Sequence, residues 1–444
     1  MLAEPRHSVA EALATLQKDD PSAAAEVEAA LDWLLGDEGP DRLTRELVQD
    51  YLWYRLPLTV AEDADHSLYI AAALAQVLDD LGLSLYAAIC RSPVTQGVLR
   101  AYAAGEGAGV AAYRRAKAGS GTSPPDLPEL GWRSMMGWAE ARARSSCADA
   151  LERAVAAGDL VPGRHGWRRR QQELVRAHLT SPRLDLDGRT LAEVISAERI
   201  ETWLGGPSNE ARGGILAPVI DRIRRPPEMG PSVLGDAPAP LRWLLEQLAG
   251  GLALTQTGNL SRAFVRSVAP RFGWHFHTPP RGEHDIGDLS ELRYLAQRLR
   301  LARRSGGTLR LTPKGARLVA DPLALAREVA AALIEEDPFT AASGELALAL
   351  LIPADSLAPS EVTAALAPAI AEAGYWDRRT DAPPDAQAIS WVMHATLNRC
   401  RALGLLSTGG DWRDRRYGLT DAGRAIALEA LRGHAVGPGS GFGW

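Results

Sequence analysis

The chain has 444 residues, 46% of them hydrophobic and 23% charged, with a formal net charge of -6. This is enough apolar material for two to four cores, and it excludes fibrous and wholly disordered classes. The acidic total also excludes blanket coating of nucleic acid, and Cys90, Cys147 and Cys400 lie too far apart for a disulfide framework or a CxxC zinc site.

The start, MLAEPRHSVAEAL, lacks a basic region followed by an apolar run. The longest apolar stretch, LYIAAALAQVL, is too short to cross a bilayer. A cytoplasmic protein without membrane contact is the expectation. Arginine replaces lysine almost throughout, since only Lys18, Lys117 and Lys314 occur, which is the mark of a GC-rich bacterial genome such as an actinobacterium's.

In chain order, residues 1–223 read as an all-helical domain. Helical spacing runs over Ala23–Leu35, Leu43–Tyr54, His66–Leu81 and Leu85–Ala103. A Gly/Ser/Pro loop follows at Ala118–Gly131, then helices at Trp132–Ala157, Trp167–Leu179 and Thr190–Leu204. Residues 224–240 hold five prolines and two glycines and read as a linker. Beyond it, short strand-like pieces appear at Leu252–Thr255, Thr308–Thr312, Gly404–Thr408 and Arg416–Thr420. Two tandem modules, 241–337 and 338–434, and a flexible tail, 435–444, complete the expected organisation. The expected class is mainly α, with small β-hairpins in the two modules.

Charge is segregated along this order. Residues 1–70 hold five basic and fifteen acidic residues, whereas 251–320 hold twelve basic and four acidic ones. Residues 391–434 are milder, with seven basic and four acidic. The two basic blocks coincide with a repeated phrase, LRLTPKGARL at Leu309–Leu318 and YGLTDAGRAI at Tyr417–Ile426. In each copy the threonine can cap a helix, and the glycine stands where that helix must turn close to a strand.

Before the first phrase, a helix from near Asp288 to about Leu301 is expected. It has an apolar face of Leu292, Leu295 and Leu299 and a polar face of Arg293, Gln297, Arg300 and Arg304. Before the second, Ile389, Val392, Met393, Leu397, Cys400 and Leu403 make a buried stripe, opposite Ser390, His394, Asn398 and Arg401. GGDWRDRR is then a hairpin tip.

Helix, strand, hairpin, strand, Leu-Thr-x-x-Gly and helix together resemble winged helix-turn-helix modules. LNRCRALGLL, STGGDWRDRRYG and LTDAGRA are similar to the third helix, wing and LTxxGR phrase of MarR- and PadR-type regulators. That resemblance implies two tandem winged helices, a third helix entering the major groove of double-stranded DNA and a wing on the backbone. The residues it singles out are Arg293, Arg300, Arg303, Arg304 and Arg310 in the first copy, and Asn398, Arg401, Arg413, Arg415 and Arg416 in the second. Arginine suits both guanine edges and phosphate. The role implied is that of a non-enzymatic DNA-binding protein, a transcriptional regulator, with no cofactor.

The rival expectation is a protein-interaction scaffold like the kite subunits of chromosome-condensing complexes. The acidic amino-terminal part and its tryptophans fit that role. A homodimer through the amino-terminal helices is a further expected partnership. One loop, FGWHFHTPPRGEHD, clusters His275, His277, Glu283, His284 and Asp285, but the pattern matches no known metal frame and reads as a capped connection. No Walker loop, GxSxG elbow or HExxH occurs.

Overall fold

The computed structural model describes residues 8–61, 63–205, 210–272, 274, 279–335, 337–377, 380–409 and 415–437. Helix makes up 69% and strand 6%, so the fold is mainly α, and its strands form two small antiparallel sheets. The chain divides into two compact units. One holds Met1–Trp132 and Met136–Ile195, the other Arg133–Met135 and Ser196–Trp444.

The first unit contains α1 (Val9–Asp19), α2 (Pro21–Leu35), α3 (Arg45–Asp50), a π-helical stretch (Tyr51–Val60), α4 (Ala64–Asp80), α5 (Ser84–Arg91), α6 (Pro93–Tyr102), α7 (Glu106–Gly119), α8 (Trp138–Ala157) and α9 (Trp167–Thr180). Side-chain oxygens of Ser8, Asp20, Thr44, Asp63 and Ser92 accept the backbone N–H three residues on, which explains where α1, α2, α3, α4 and α6 begin. The expected single helix Leu85–Ala103 is two, because Ser92 caps α6 and Pro93 takes its first position. Val27, Leu31 and Leu34 of α2 pack with Ile70, Leu74 and Leu78 of α4 and Leu99 of α6. A smaller cluster joins Cys147 and Leu151 of α8 to Val175 and Leu179 of α9.

In the second unit the order is α10 (Leu191–Leu204), α11 (Glu210–Leu216), α12 (Ile220–Arg224), α13 (Pro231–Leu234) and α14 (Ala239–Gln247), then β1 (Leu252–Ala253), α15 (Arg262–Arg271), α16 (Gly287–Arg298), β2 (Ala302–Ser305), β3 (Thr308–Leu311), α17 (Pro313–Val319) and α18 (Pro322–Leu333). There follow α19 (Pro338–Leu351), α20 (Pro359–Glu372), α21 (Ala386–Ala402), β4 (Leu406–Gly409), β5 (Arg416–Leu419) and α22 (Asp421–Val436). From α14 and again from α19, the chain writes helix, strand, helix, helix, hairpin, helix. The sheet order β1-β3-β2 puts the first strand beside the returning arm of the hairpin. In the second copy that strand shrinks to one bridge, Leu357 with Tyr417.

The repeated phrase is a joint between helix, hairpin and helix. Thr312 N–H donates to the Leu301 carbonyl at 2.9 Å and Thr420 N–H to the Leu405 carbonyl at 3.0 Å. Each threonine hydroxyl then accepts the N–H of the glycine three residues on, at 3.0 Å in both copies. A Cβ on Gly315 would collide with the Leu301 carbonyl oxygen, and one on Gly423 with that of Leu405. Glycine is therefore the residue that lets the new helix cross the strand start this closely.

Four expectations are corrected. Residues 224–240 are no spacer: Met229, Leu234 and Pro240 are buried. Their prolines start helices, with Pro231 heading α13 and Pro240 in the first turn of α14. The division between compact units lies inside α10 and not at residue 223. The two repeats also lack separate cores, since Leu245, Leu292, Leu309 and Leu333 belong to one cluster with Leu348, Leu397, Leu403 and Ile426. Finally, α22 runs past residue 434, and the buried Arg133 guanidinium donates to the carbonyls of Ala435 at 2.7 Å and Gly437 at 3.1 Å.

Candidate nucleic-acid interface

The hairpin of the first repeat is a two-residue turn, Gly306-Gly307, between Ser305 and Thr308, which pair across it. Gly306 adopts a φ of 59°, a conformation that glycine reaches without steric cost. Strand alternation decides where the arginines point. Leu309 faces the core and is buried; Arg310 next to it is exposed. Arg303 stands directly opposite Arg310 in the ladder, so the two project from the same face. Arg304 leaves by the other side, lies beside Gly258, and its Nε donates to the Gly306 carbonyl at 3.4 Å. Arg300 precedes the hairpin and is exposed. Among the described residues, none of these four guanidinium groups has a carboxylate partner.

Two cations in direct cross-strand register repel each other. Water and salt reduce the cost at an exposed site, and an anion laid across both would remove it. Exposed Arg262 and Arg266 on α15 lie in the same basic block of sequence, and neither was singled out by the sequence reading.

The helix residues behave differently. α16 ends at Arg298 and not near Leu301, so Arg300 and Arg304 do not continue its polar face. Arg293, expected to read bases, donates to Glu283 at 2.6 Å and to the Gly258 carbonyl at 2.8 Å. Glu283 is itself buried and also accepts the Leu260 N–H at 2.8 Å. Arg293 thus closes a turn beneath the hairpin.

In the second repeat, Arg401 is paired with Asp288 of α16 at 2.9 Å. Arg416 donates to Ser356 and, at 3.0 Å, to Glu361. Asn398 is half-buried, Arg415 is exposed, and Arg413 lies outside the described residues. Arg293, Arg401 and Arg416 are therefore structural ion-pair residues here, because each lies within reach of a carboxylate that sequence distance concealed.

The reason is the packing of α16 against α21. The two helices expected to enter a groove meet each other. Arg399, buried and overlooked in the sequence, carries the junction. It donates to Glu291 of α16 at 3.0 Å, to Glu335, and to the carbonyls of Ala332 and Leu333 at 3.2 Å each. Arg298 joins the same Glu335 at 2.8 Å. The signal was faint but present: Arg399 adjoins Cys400 and lies three residues past Thr396, both of which are buried.

Of the histidine loop, His275 and His277 lie outside the described residues. Asp285 accepts the N–H groups of Arg281 and Gly282, which hold its carboxyl below the usual range. Burial pushes the thiols of Cys90, Cys147 and Cys400 up to about 12, so they are not thiolates near neutral pH. Among the described residues no helix is long and apolar enough to cross a membrane.

No curated protein and no solved structure matches the chain. One family does match over the first repeat, from α14 to the start of α18: residues 240–324 are similar to the Y4jL N-terminal domain.

Proposed function

We propose that the two repeats are winged-helix modules and that the protein binds double-stranded DNA by its phosphates, through the wing of the first module. The element order and the pairing of β1 with β3 support the module assignment. The observation that carries the function is the cross-strand pair Arg303 and Arg310, flanked by Arg300 and Arg304, all exposed and, among the described residues, without carboxylate partners. The third helices, occupied by each other, are not the readers in this proposal. Binding is then backbone-directed and weakly sequence-selective. A role in transcriptional regulation would need selectivity from elsewhere in the chain.

Fluorescence anisotropy with a mixed-sequence duplex tests this. Four phosphate contacts give a plot of log affinity against log salt with a slope of about -3 to -4. Arg303→Glu combined with Arg310→Glu is expected to flatten that slope by about two and to weaken binding uniformly across sequences. Absence of salt-dependent binding at micromolar protein sinks the proposal.

A second reading, docking onto another protein, is favoured by two tryptophans of the second repeat. Trp391 on α21 is 81% exposed and Trp376 is 57% exposed, an arrangement common in interface anchors. A partner retained by the parent protein and lost by Trp391→Ala, with DNA binding absent, would favour this reading.

A further inference from the structure

We infer that the first unit holds a binding site for a small molecule with an apolar body and one carboxylate. A cavity of about 670 Å³ lies between α3, α5, α6, α7 and the π-helical stretch, walled by Trp53, Leu85, Ile89 and Val98. That volume falls within the range of roughly 300–1,000 Å³ that suits drug-sized ligands. None of its lining residues is acidic, although the chain as a whole is.

Two polar atoms in the wall lack partners. Gln49 is 6% exposed and its Oε1 is buried with nothing to accept from, and Nε of Arg45, one turn earlier on α3, is buried with nothing to donate to. Glu152 accepts the Arg45 backbone N–H at 2.8 Å and leaves that side-chain Nε unanswered. Arg115 adds a second, exposed guanidinium to the lining. Buried polar groups are almost always hydrogen-bonded. An orphan donor and an orphan acceptor one helical turn apart, on two residues that line the cavity, therefore point to a partner that reaches past the cavity wall, accepts from Arg45 and donates to Gln49. A carboxylate matches the guanidinium fork, and an N–H or O–H near it would satisfy Gln49.

Gly97 supplies a separate observation. It stands inside α6, where glycine weakens a helix relative to alanine, and nothing lies within 4 Å of where its Cβ would be. Packing does not require glycine there. Gly97 lines the cavity, so a large side chain placed there is expected to narrow it.

The test uses the full chain and 1-anilinonaphthalene-8-sulfonate, an apolar body with one anionic group, followed by fluorescence. One site per chain is expected, with displacement by decanoate or by 2-naphthoate; which competes better tells a chain-like body from a ring. Arg45→Met should weaken the probe at least tenfold. Gly97→Trp should abolish binding while leaving the circular dichroism spectrum and Tm unchanged. If Gly97→Trp folds and binds the probe as the parent does, or if the parent does not bind it, the site is refuted. Equal displacement by decylammonium, or no change in Arg45→Met, overturns the assignment of an anionic ligand.

Discussion

Arg300 and Gly404 end equivalent helices of the two repeats, and both are left-handed, with φ of 57° and 74°. The residue after each sends its N–H back to the helix at 2.8 Å, Leu301 to Ala296 and Leu405 to Cys400. This is the geometry in which glycine normally closes a helix. Arginine there carries a steric penalty of about 1–2 kcal/mol. Strain of this kind clusters at functional sites, and Arg300 is one of the four exposed arginines around the first hairpin that have no carboxylate partner among the described residues. Arg300→Gly is therefore predicted to raise stability by about 1 kcal/mol in urea unfolding while weakening DNA binding. A variant that gains stability and keeps the parent's affinity would remove Arg300 from the interface. At this scale the sequence was partly legible. Caps, turn glycines and the Leu-Thr-x-x-Gly joint are local devices, and each was readable from a few neighbouring letters. Whether an arginine is free was not, because Glu283 and Gly258 reach Arg293 from ten and thirty-five residues away.

Helices of the second unit are tied by a buried carboxylate as well as by apolar contact. Glu345 of α19 accepts from Trp203 Nε1 of α10 at 3.0 Å and from Arg212 of α11 at 2.8 Å, and His434 Nε2 of α22 lies 3.2 Å away. Burial pushes this carboxyl up, but the hydrogen bond from His434, the Arg212 and His434 charges and the Trp203 N–H outweigh it and hold its pKa below 4.5. The folded protein therefore keeps the proton off Glu345 more readily than the unfolded chain does. Its contribution to stability is complete above the ordinary glutamate value and fades as pH falls through the lower folded value. Glu345→Gln is predicted to cost about 3 kcal/mol at pH 7, because it removes the buried negative charge that the half-buried Arg212 and His434 side chains face. The urea midpoint of the variant should also fall less steeply than the parent's between pH 5 and pH 3. Identical acid limbs would show that other carboxylates govern this range. The apolar stripes of α16 and α21 were legible from their spacing, and Leu292, Leu295, Met393, Leu397 and Cys400 are indeed buried. Their burial against each other was not, because an amphipathic stripe states that a face is covered without naming the cover.

Over the whole molecule, the two repeats and residues 196–240 share a single apolar cluster. Neither repeat should then fold alone. A fragment of residues 196–444 is predicted to unfold cooperatively, with dispersed amide resonances. Fragments 241–337 and 338–434 should be poorly folded, since each leaves apolar faces of α16, α18, α21 or α22 in water. A stable, cooperative 241–337 fragment would show that the shared core is not needed and would restore the tandem organisation read from the chain.

The amino-acid order by itself determined what depends on near neighbours: a mainly helical chain, two copies of a helix–hairpin–helix joint, and a basic block around the first. Periodicity, capping and turn chemistry act over a few residues, so they are written where they operate. The tertiary structure decided which charges are available. Coulomb attraction acts through space between groups more than a hundred residues apart in the chain, as in Arg399 with Glu291 or Arg401 with Asp288. Folding alone separated the arginines that build the molecule from those around the first hairpin that stay exposed.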